Sequence, residues 1–209
     1  MDKVLRDCAP AADGKESQMN EKLKFRLTGI APLLMHNGRM ADPMDRYSRA
    51  IKEISSKRKK VDSDFEEMAR LEWMGGLYLL DDAPCIPDYV LEAALIGRGG
   101  AARSQKMGKE AAAGMFVMKN FPLEYNGPKD PAELWKMEEF RLARAVRIGQ
   151  SRVIRTRPIF HDWAANVEIE FDLDFLNADH IRQWMEIAGS KVGLMDWRPK
   201  CGRFTVAAL

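Results

Sequence analysis

Two stretches of strict alternation restrict this chain more than any other feature. In "KLKFRLT" (22–28) Leu23, Phe25 and Leu27 point one way, and Lys24, Arg26 and Thr28 the other. "AANVEIEFDL" (164–173) alternates in the same way. Successive side chains on a strand face opposite sides, so each stretch buries one face and leaves the other wet. Such strands need an apolar layer on one side only. Two segments with helical spacing supply it: Val90, Leu91, Ala94 and Leu95 in one, Ile181, Trp184, Met185 and Ala188 in the other. Asp88 and Asn177 stand at their N-cap positions.

"GMFVMKNFPLEY" (114–125) and "FTVAAL" (204–209) read as two further strands. With residues 35–82 set aside, the order is strand, helix, strand, strand, helix, strand. This predicts an α+β chain with a ferredoxin-like, RRM-like βαββαβ sheet, both helices on one face and the other face open for function. The stretch at about 36–82 reads as a finger-like helical insertion after the first strand. Tyr47, Ile51 and Ile54 recur at helical spacing, and so do Phe65, Met68 and Leu71. Asp62 to Asp64 form the cap of the second helix, and Gly75-Gly76 close it. Residues 1–20 are polar and predict a disordered tail, which leaves 21–209 as one domain.

Global charge says little about partners, because the formal net charge is only +2. Its distribution says more. Arg141, Arg144, Arg147, Arg152, Arg155 and Arg157 occur with no acid between Glu139 and Asp162. Arginine binds phosphate bidentately through its planar fork. In an extended segment Arg155 and Arg157 share a face, and no neighbour in sequence pairs their charges. The competing reading is a solvated basic face balanced by acids elsewhere in the fold. A second basic run, Lys57, Arg58, Lys59 and Lys60, lies between the two insertion helices, where it can track a phosphate backbone or complement a helix terminus. The loop "GLMDWRPKCGRF" (193–204) adds Arg198, Lys200 and Arg203, with Gly193 and Gly202 to let backbone approach a phosphate, and Trp197 has core packing against the helix 177–192 as its bland reading. It is not a P-loop, and the base-stacking motif of RRM sheets is absent.

Catalytic and cofactor motifs are missing, which predicts a non-enzymatic protein without cofactor or metal. His36, Asp42 and Asp45 share one loop and are the candidates for an acid–base or metal site, though Asn-Gly and Asp-Pro turn chemistry accounts for them equally. Cys8, Cys85 and Cys201 show neither disulfide nor zinc spacing. With no signal-peptide core and no apolar run of ~20 residues, the expectation is a soluble cytoplasmic protein without membrane contact.

"LTGIAPLLMHNG", then a long insertion, "CIPDYVLEAALIGRGGAAR" and the terminal "KVGLMDWRPKCGRFTV" together resemble the RAMP superfamily of CRISPR effector subunits. The likeness spans roughly 22–209 and is greatest to the backbone subunit that polymerises along guide RNA. It implies a chain that coats single-stranded RNA, or single-stranded DNA, through backbone contacts. Such a chain forms a filament-like homo-oligomer alongside other effector subunits, and Arg98 and Arg103 occupy basic positions of the family's first helix region. Some of these subunits cleave target RNA with an aspartate after the first strand, which makes Asp42 or Asp45 the site of an alternative, metal-dependent ribonuclease. The chain is also similar to small uncharacterised bacteriophage proteins carrying "MHNGR-ADP", "GQ-RV-RTRP" and "DWRP--GRF". That likeness leaves room for a phage assembly protein whose basic residues form inter-subunit salt bridges.

Overall fold

The computed structural model describes residues 20–209, so the predicted tail lies, except for Asn20, outside the described residues. Strand β1 (Asn20–Gly29) leads into the short β2 (Leu33–Leu34) and a 3-10 turn (Gly38–Ala41). Helices α1 (Arg46–Ser55) and α2 (Asp62–Gly76) follow, then the two-strand ribbon β3 (Leu79–Leu80) and β4 (Ala83–Ile86). Three short helices come next: α3 (Asp88–Leu95), α4 (Ala101–Ser104) and α5 (Gly108–Gly114). Strands β5 (Met115–Phe116) and β6 (Phe121–Pro122) precede α6 (Pro131–Lys136). A long hairpin, β7 (Arg141–Ile148) and β8 (Ser151–Phe160), leads to β9 (Ala164–Asp172). Helix α7 (Ala178–Ile187), a π-helical turn (Ala188–Val192) and β10 (Phe204–Ala208) end the chain. The protein is thus mixed α+β, built on small antiparallel sheets.

The principal sheet has the order β10-β1-β9-β5, with every pairing antiparallel. Its apolar face carries Phe25 and Leu27 from β1, and Ala165, Val167, Ile169 and Phe171 from β9, all buried. Leu91, Ala94 and Leu95 of α3 and Ile181, Trp184 and Met185 of α7 join them in one core cluster. Each fully buried Leu- or Phe-sized side chain contributes about 1.5–3 kcal/mol. This is the layer that alternation and helical spacing required.

The opposite face is occupied by paired charges. Lys24 lies directly across from Glu168 and Lys22 from Glu170. Lys22 reaches Glu170 at 3.2 Å and Lys119 reaches Glu168 at 3.2 Å, while Arg26 pairs with Glu124. Solvent screens pairs as exposed as these, so each contributes little to stability. Together they neutralise the face that the sequence pattern reserved for function.

The segment 114–125 is not one strand. β5 joins the edge of the principal sheet, whereas β6 pairs with β4 in a different sheet. Pro122 has no N–H to donate, which suits it to a short edge pairing rather than a long ladder. Two caps also move: Pro87 precedes α3 and Val61 precedes α2. Asp88 accepts from the adjacent Tyr89 N–H at 2.7 Å, and Asp64 accepts from Val61 N–H at 3.0 Å. Asn177 caps α7 as expected, accepting from His180 N–H at 3.0 Å. Gly75 and Gly76 do end α2, and both are buried. A methyl group on Gly75 would meet Met40 and Tyr47, and one on Gly76 would meet Pro158.

Helix α2 packs across β8 and ties the insertion to the hairpin. Trp73 is fully buried and donates its indole N–H to the Phe140 carbonyl at 2.8 Å. Only the root of β8 is paired on its second edge, where Leu33 and Leu34 of β2 face Phe160 and Ile159. Beyond that root the ribbon projects. Gly149 turns it with a φ of 58°, and Ile154 is 65% exposed.

Trp184 offers a measure of the helix–sheet layer. It is fully buried and stacks on His180 with centroids 5.7 Å apart. Trp184→Ala is expected to cost about 3–5 kcal/mol. Urea unfolding should show a lower midpoint with the slope unchanged.

Candidate nucleic-acid interface

Ladder register sorts the six arginines. Arg144 stands opposite Arg155, Arg147 opposite Arg152, and Leu142 opposite Arg157. Alternation then puts Arg144, Arg155 and Arg157 on one face of the ribbon and Arg141, Arg147 and Arg152 on the other. Like charges directly opposite one another destabilise a sheet. The structure answers this repulsion at the root of the ribbon and leaves it unanswered at the tip.

Near the root, acids from other elements neutralise the arginines. Arg155 pairs with Glu72 of α2 at 2.7 Å, and the second oxygen of Glu72 accepts from Thr156 N–H at 2.9 Å. One carboxylate thus satisfies a cation and the open strand edge together. Arg157 pairs with Asp196 at 2.6 Å and lies over the Trp197 ring at 5.5 Å. Its side chain is only 15% exposed. Arg141 covers Trp135 at 4.8 Å and lies 3.6 Å from Glu138. The expectation that Arg155 and Arg157 carry free charge is therefore corrected. Their partners are remote in sequence, on α2 and in the last loop.

At the tip the charge is not neutralised. Among the described residues Arg147 bonds the Gly149 carbonyl at 3.0 Å and the Gln150 amide oxygen at 3.3 Å. Among the described residues, Arg144 and Arg152 have no acidic partner, and both are exposed.

The loop 193–203 is also corrected. Gly193 and Gly202 have φ of 77° and 74°, and both are buried. They face each other inside the loop: Leu194 N–H donates to the Gly202 carbonyl at 2.9 Å, and Gly202 N–H to the Pro32 carbonyl at 2.8 Å. A methyl group on Gly202 would overlap the Leu194 backbone. These glycines let two chain segments cross and do not approach a phosphate. Trp197 packs with Leu34, Ile159 and Cys201 and not against the helix 177–192, which corrects the partner expected for it. Arg198 and Lys200 are exposed, and Arg203 is half-buried, its carbonyl accepting from Ile30 N–H at 2.9 Å.

The remaining candidates separate in the same manner. Lys57 pairs with Asp64 at 2.6 Å and Lys60 donates to the Lys57 carbonyl at 3.1 Å, while Arg58 and Lys59 are exposed at the far end of the α1–α2 pair. The Lys57 hydrogen bond, followed by that from Val61 N–H, holds the Asp64 carboxyl below its usual range. Arg103 donates to the Ile96 carbonyl at 3.1 Å, and Arg98 is exposed. Asp42 accepts from Met44 N–H at 2.8 Å, and Asp45 caps α1 by accepting from Tyr47 N–H at 2.8 Å. Among the described residues no group of three or more His, Cys, Asp or Glu is placed to hold a metal ion. His36 stands apart: it is exposed at the surface, and the charges of Arg157, Asp196 and Glu72 act on it. Burial first, and then the Arg157 charge, lower its pKa from the ordinary value.

Gly202→Val is expected to destabilise the fold by about 3 kcal/mol or more, through left-handed torsion and overlap together. Unfolding at near-wild-type denaturant concentration would show that the loop has room. Arg157→Glu should cost about 2–4 kcal/mol, since it leaves Asp196 facing a like charge in a partly buried site. The swapped double variant, Arg157→Glu with Asp196→Arg, should recover part of that loss in a double-mutant cycle.

His36 should titrate below about 6.5, as followed by its imidazole proton resonance. Between its folded and unfolded pKa values the unfolded chain binds more protons. Its contribution is therefore complete above the unfolded value and lost as pH falls toward the folded one. His36→Gln should flatten that part of the stability profile.

No protein-family model and no curated protein sequence matches this chain, and the functional assignment rests on the residues themselves.

Proposed function

We propose that this protein binds single-stranded RNA or single-stranded DNA through the phosphate backbone and lines up side by side along the strand. The observation that carries this reading is the ribbon tip. Arg147 faces Arg152 across the ladder, Arg144 follows on the other face, and no acid neutralises them among the described residues. Such an arrangement is unfavourable in isolation and favourable against a polyanion. Arg198 and Lys200 extend the positive surface from the last loop, and Arg58 and Lys59 from the insertion. Contacts of these groups would go to phosphate, so binding is expected to be tolerant of sequence.

The strand order supports the same reading. In chain order the four principal strands lie fourth, first, third, second, with α3 to α5 before the second and α7 before the fourth. This fits the ferredoxin-like arrangement implied by the resemblance to RAMP backbone subunits, with α1 and α2 as the insertion. The neutralised sheet face disfavours binding there in the RRM manner, and the ribbon takes over that role. Asp42 and Asp45 are occupied as turn and cap acceptors, which favours a binding role over a ribonuclease.

Fluorescence anisotropy with labelled single strands of about 30 nucleotides tests the proposal. With ~5 phosphates neutralised, log affinity should fall with log salt at a slope of about −3.5. Arg147→Glu with Arg152→Glu should weaken binding more than 100-fold and flatten the slope by about 1.4, without lowering thermal stability. Wild-type affinity and slope in that variant would overturn the assignment to the ribbon. Multi-angle scattering of the complex should show mass rising with strand length.

A further inference from the structure

Beside the arginine face, a cavity of about 220 Å³ opens between the loop after β2, the first turn of α3 and the loop 193–203. Its wall includes His36, Tyr78, Tyr89, Met195, Asp196 and Arg198. Tyr89 is 56% exposed. The buried Tyr78 ring meets it edge-on, with centroids 6.2 Å apart and planes at 74°. Tyr78 is itself fixed, because its hydroxyl donates to the His36 carbonyl at 2.9 Å. An aromatic face is thus presented to solvent on a rigid support.

The opposite wall is held in an uncommon conformation. Met195 and Trp197 have φ of 62° and 55°, and they flank Asp196. Left-handed torsions in residues other than glycine persist only where surrounding contacts impose them, and they concentrate at ligand sites. Here Asp196 N–H donates to the Leu34 carbonyl and Cys201 N–H to the Trp197 carbonyl, each at 3.0 Å. Oδ2 of Asp196 is buried 2.6 Å from Arg157, while the side chain as a whole keeps 30% of its surface exposed and lines the cavity. Arg198 is exposed at the rim.

An exposed aromatic face, a rim cation and a fixed carboxylate match the parts of one nucleotide. Bases stack on tyrosine, phosphate oxygens take arginine, and a carboxylate accepts from an exocyclic amino group but not from a ring carbonyl. The volume lies below the ~300–1,000 Å³ of pockets for larger ligands, and suits a single base. We propose that this cavity receives one unstacked nucleotide, with its base against Tyr89, its phosphate at Arg198 and an amino-bearing base preferred because of Asp196. The inference rests on the single-strand reading for its biological ligand, but the site is testable with mononucleotides alone.

The test is an NMR titration of the full chain with cytidine 5′-monophosphate, followed at the imidazole resonances. The His36 signal should shift, with His161 and His180 as internal references. Tyr89→Phe should retain the shift, and Tyr89→Ala should weaken binding about tenfold. Uridine 5′-monophosphate should bind several-fold more weakly than the cytidine compound. Should Tyr89→Ala fail to fold, Arg198→Gln at the exposed rim replaces it and should lower the affinity for cytidine 5′-monophosphate. A silent His36 at millimolar nucleotide overturns the proposal, and so does an equal shift with inorganic phosphate. Equal binding of the two nucleotides overturns the role given to Asp196. The ribbon variant, Arg147→Glu with Arg152→Glu, should keep the His36 shift while losing strand affinity. The cavity and the backbone-binding surface can therefore fail separately.

Discussion

Strand β1 is hydrogen-bonded on both edges, to β9 and to β10, and its two-residue period sets the rest of the molecule. Its alternate apolar residues, Phe25 and Leu27, fix the register of β9, because a slip of one residue would turn every buried side chain outward. Helices α3 and α7 must then share one face, since only that face is apolar. On the other face the same register brings Lys22 and Lys24 directly against Glu170 and Glu168. Cross-strand pairs of opposite charge favour this register and oppose a shifted one. They also remove the net charge that a polyanion would need. Specification of the fold and emptiness of the sheet face come from one pattern, and any anion-binding surface must form elsewhere.

The hairpin β7–β8 is where unpaired arginine charge collects among the described residues, and its arginines divide along its length. At the root, Arg155 and Arg157 have been drawn into contact with Glu72 and Asp196. There they hold α2 and the last loop to the ribbon, and Glu72 also closes the strand edge at Thr156. At the tip, nothing similar is within reach of Arg144 or Arg152 among the described residues. A ribbon that bore only unpaired arginines would repel itself along its full length. Neutralising the root keeps it attached, and leaving the tip charged keeps it available. Arginine count alone therefore overstates the unpaired charge of this segment roughly twofold, since Arg141, Arg155 and Arg157 have acidic partners.

What the sequence showed and what it concealed follow from range. Alternation at 22–28 and 164–173, helical spacing at 88–95 and 178–187, and the Asn177 cap are local signals, and all are realised. The split of 114–125 is not local, because β5 and β6 are claimed by different sheets from opposite parts of the chain. The hairpin was hidden because its arginines and small residues do not alternate apolar with polar, and Gly149-Gln150 is a weak turn signal. Glu72 and Asp196 could not be found as partners at all, since the first lies on α2 and the second beyond α7. Gly193 and Gly202 were legible as special positions, but their role depends on which backbone crosses them. A left-handed glycine facing a phosphate and one facing Leu194 look the same in sequence.

Asp196 connects these levels most directly. Its main chain is bound to Leu34 of β2, its neighbours carry the left-handed torsions, and its carboxylate joins Arg157 to the wall of the small cavity. Any group that draws on Asp196 from the cavity side reduces what it gives to Arg157. The arginine face and the cavity are consequently linked through one carboxylate rather than lying independently on the surface. His36 senses the same balance, since Arg157 lowers its pKa and Asp196 raises it. Loss of the Asp196 charge would leave Arg157 unopposed beside His36 and push the imidazole further toward its neutral form.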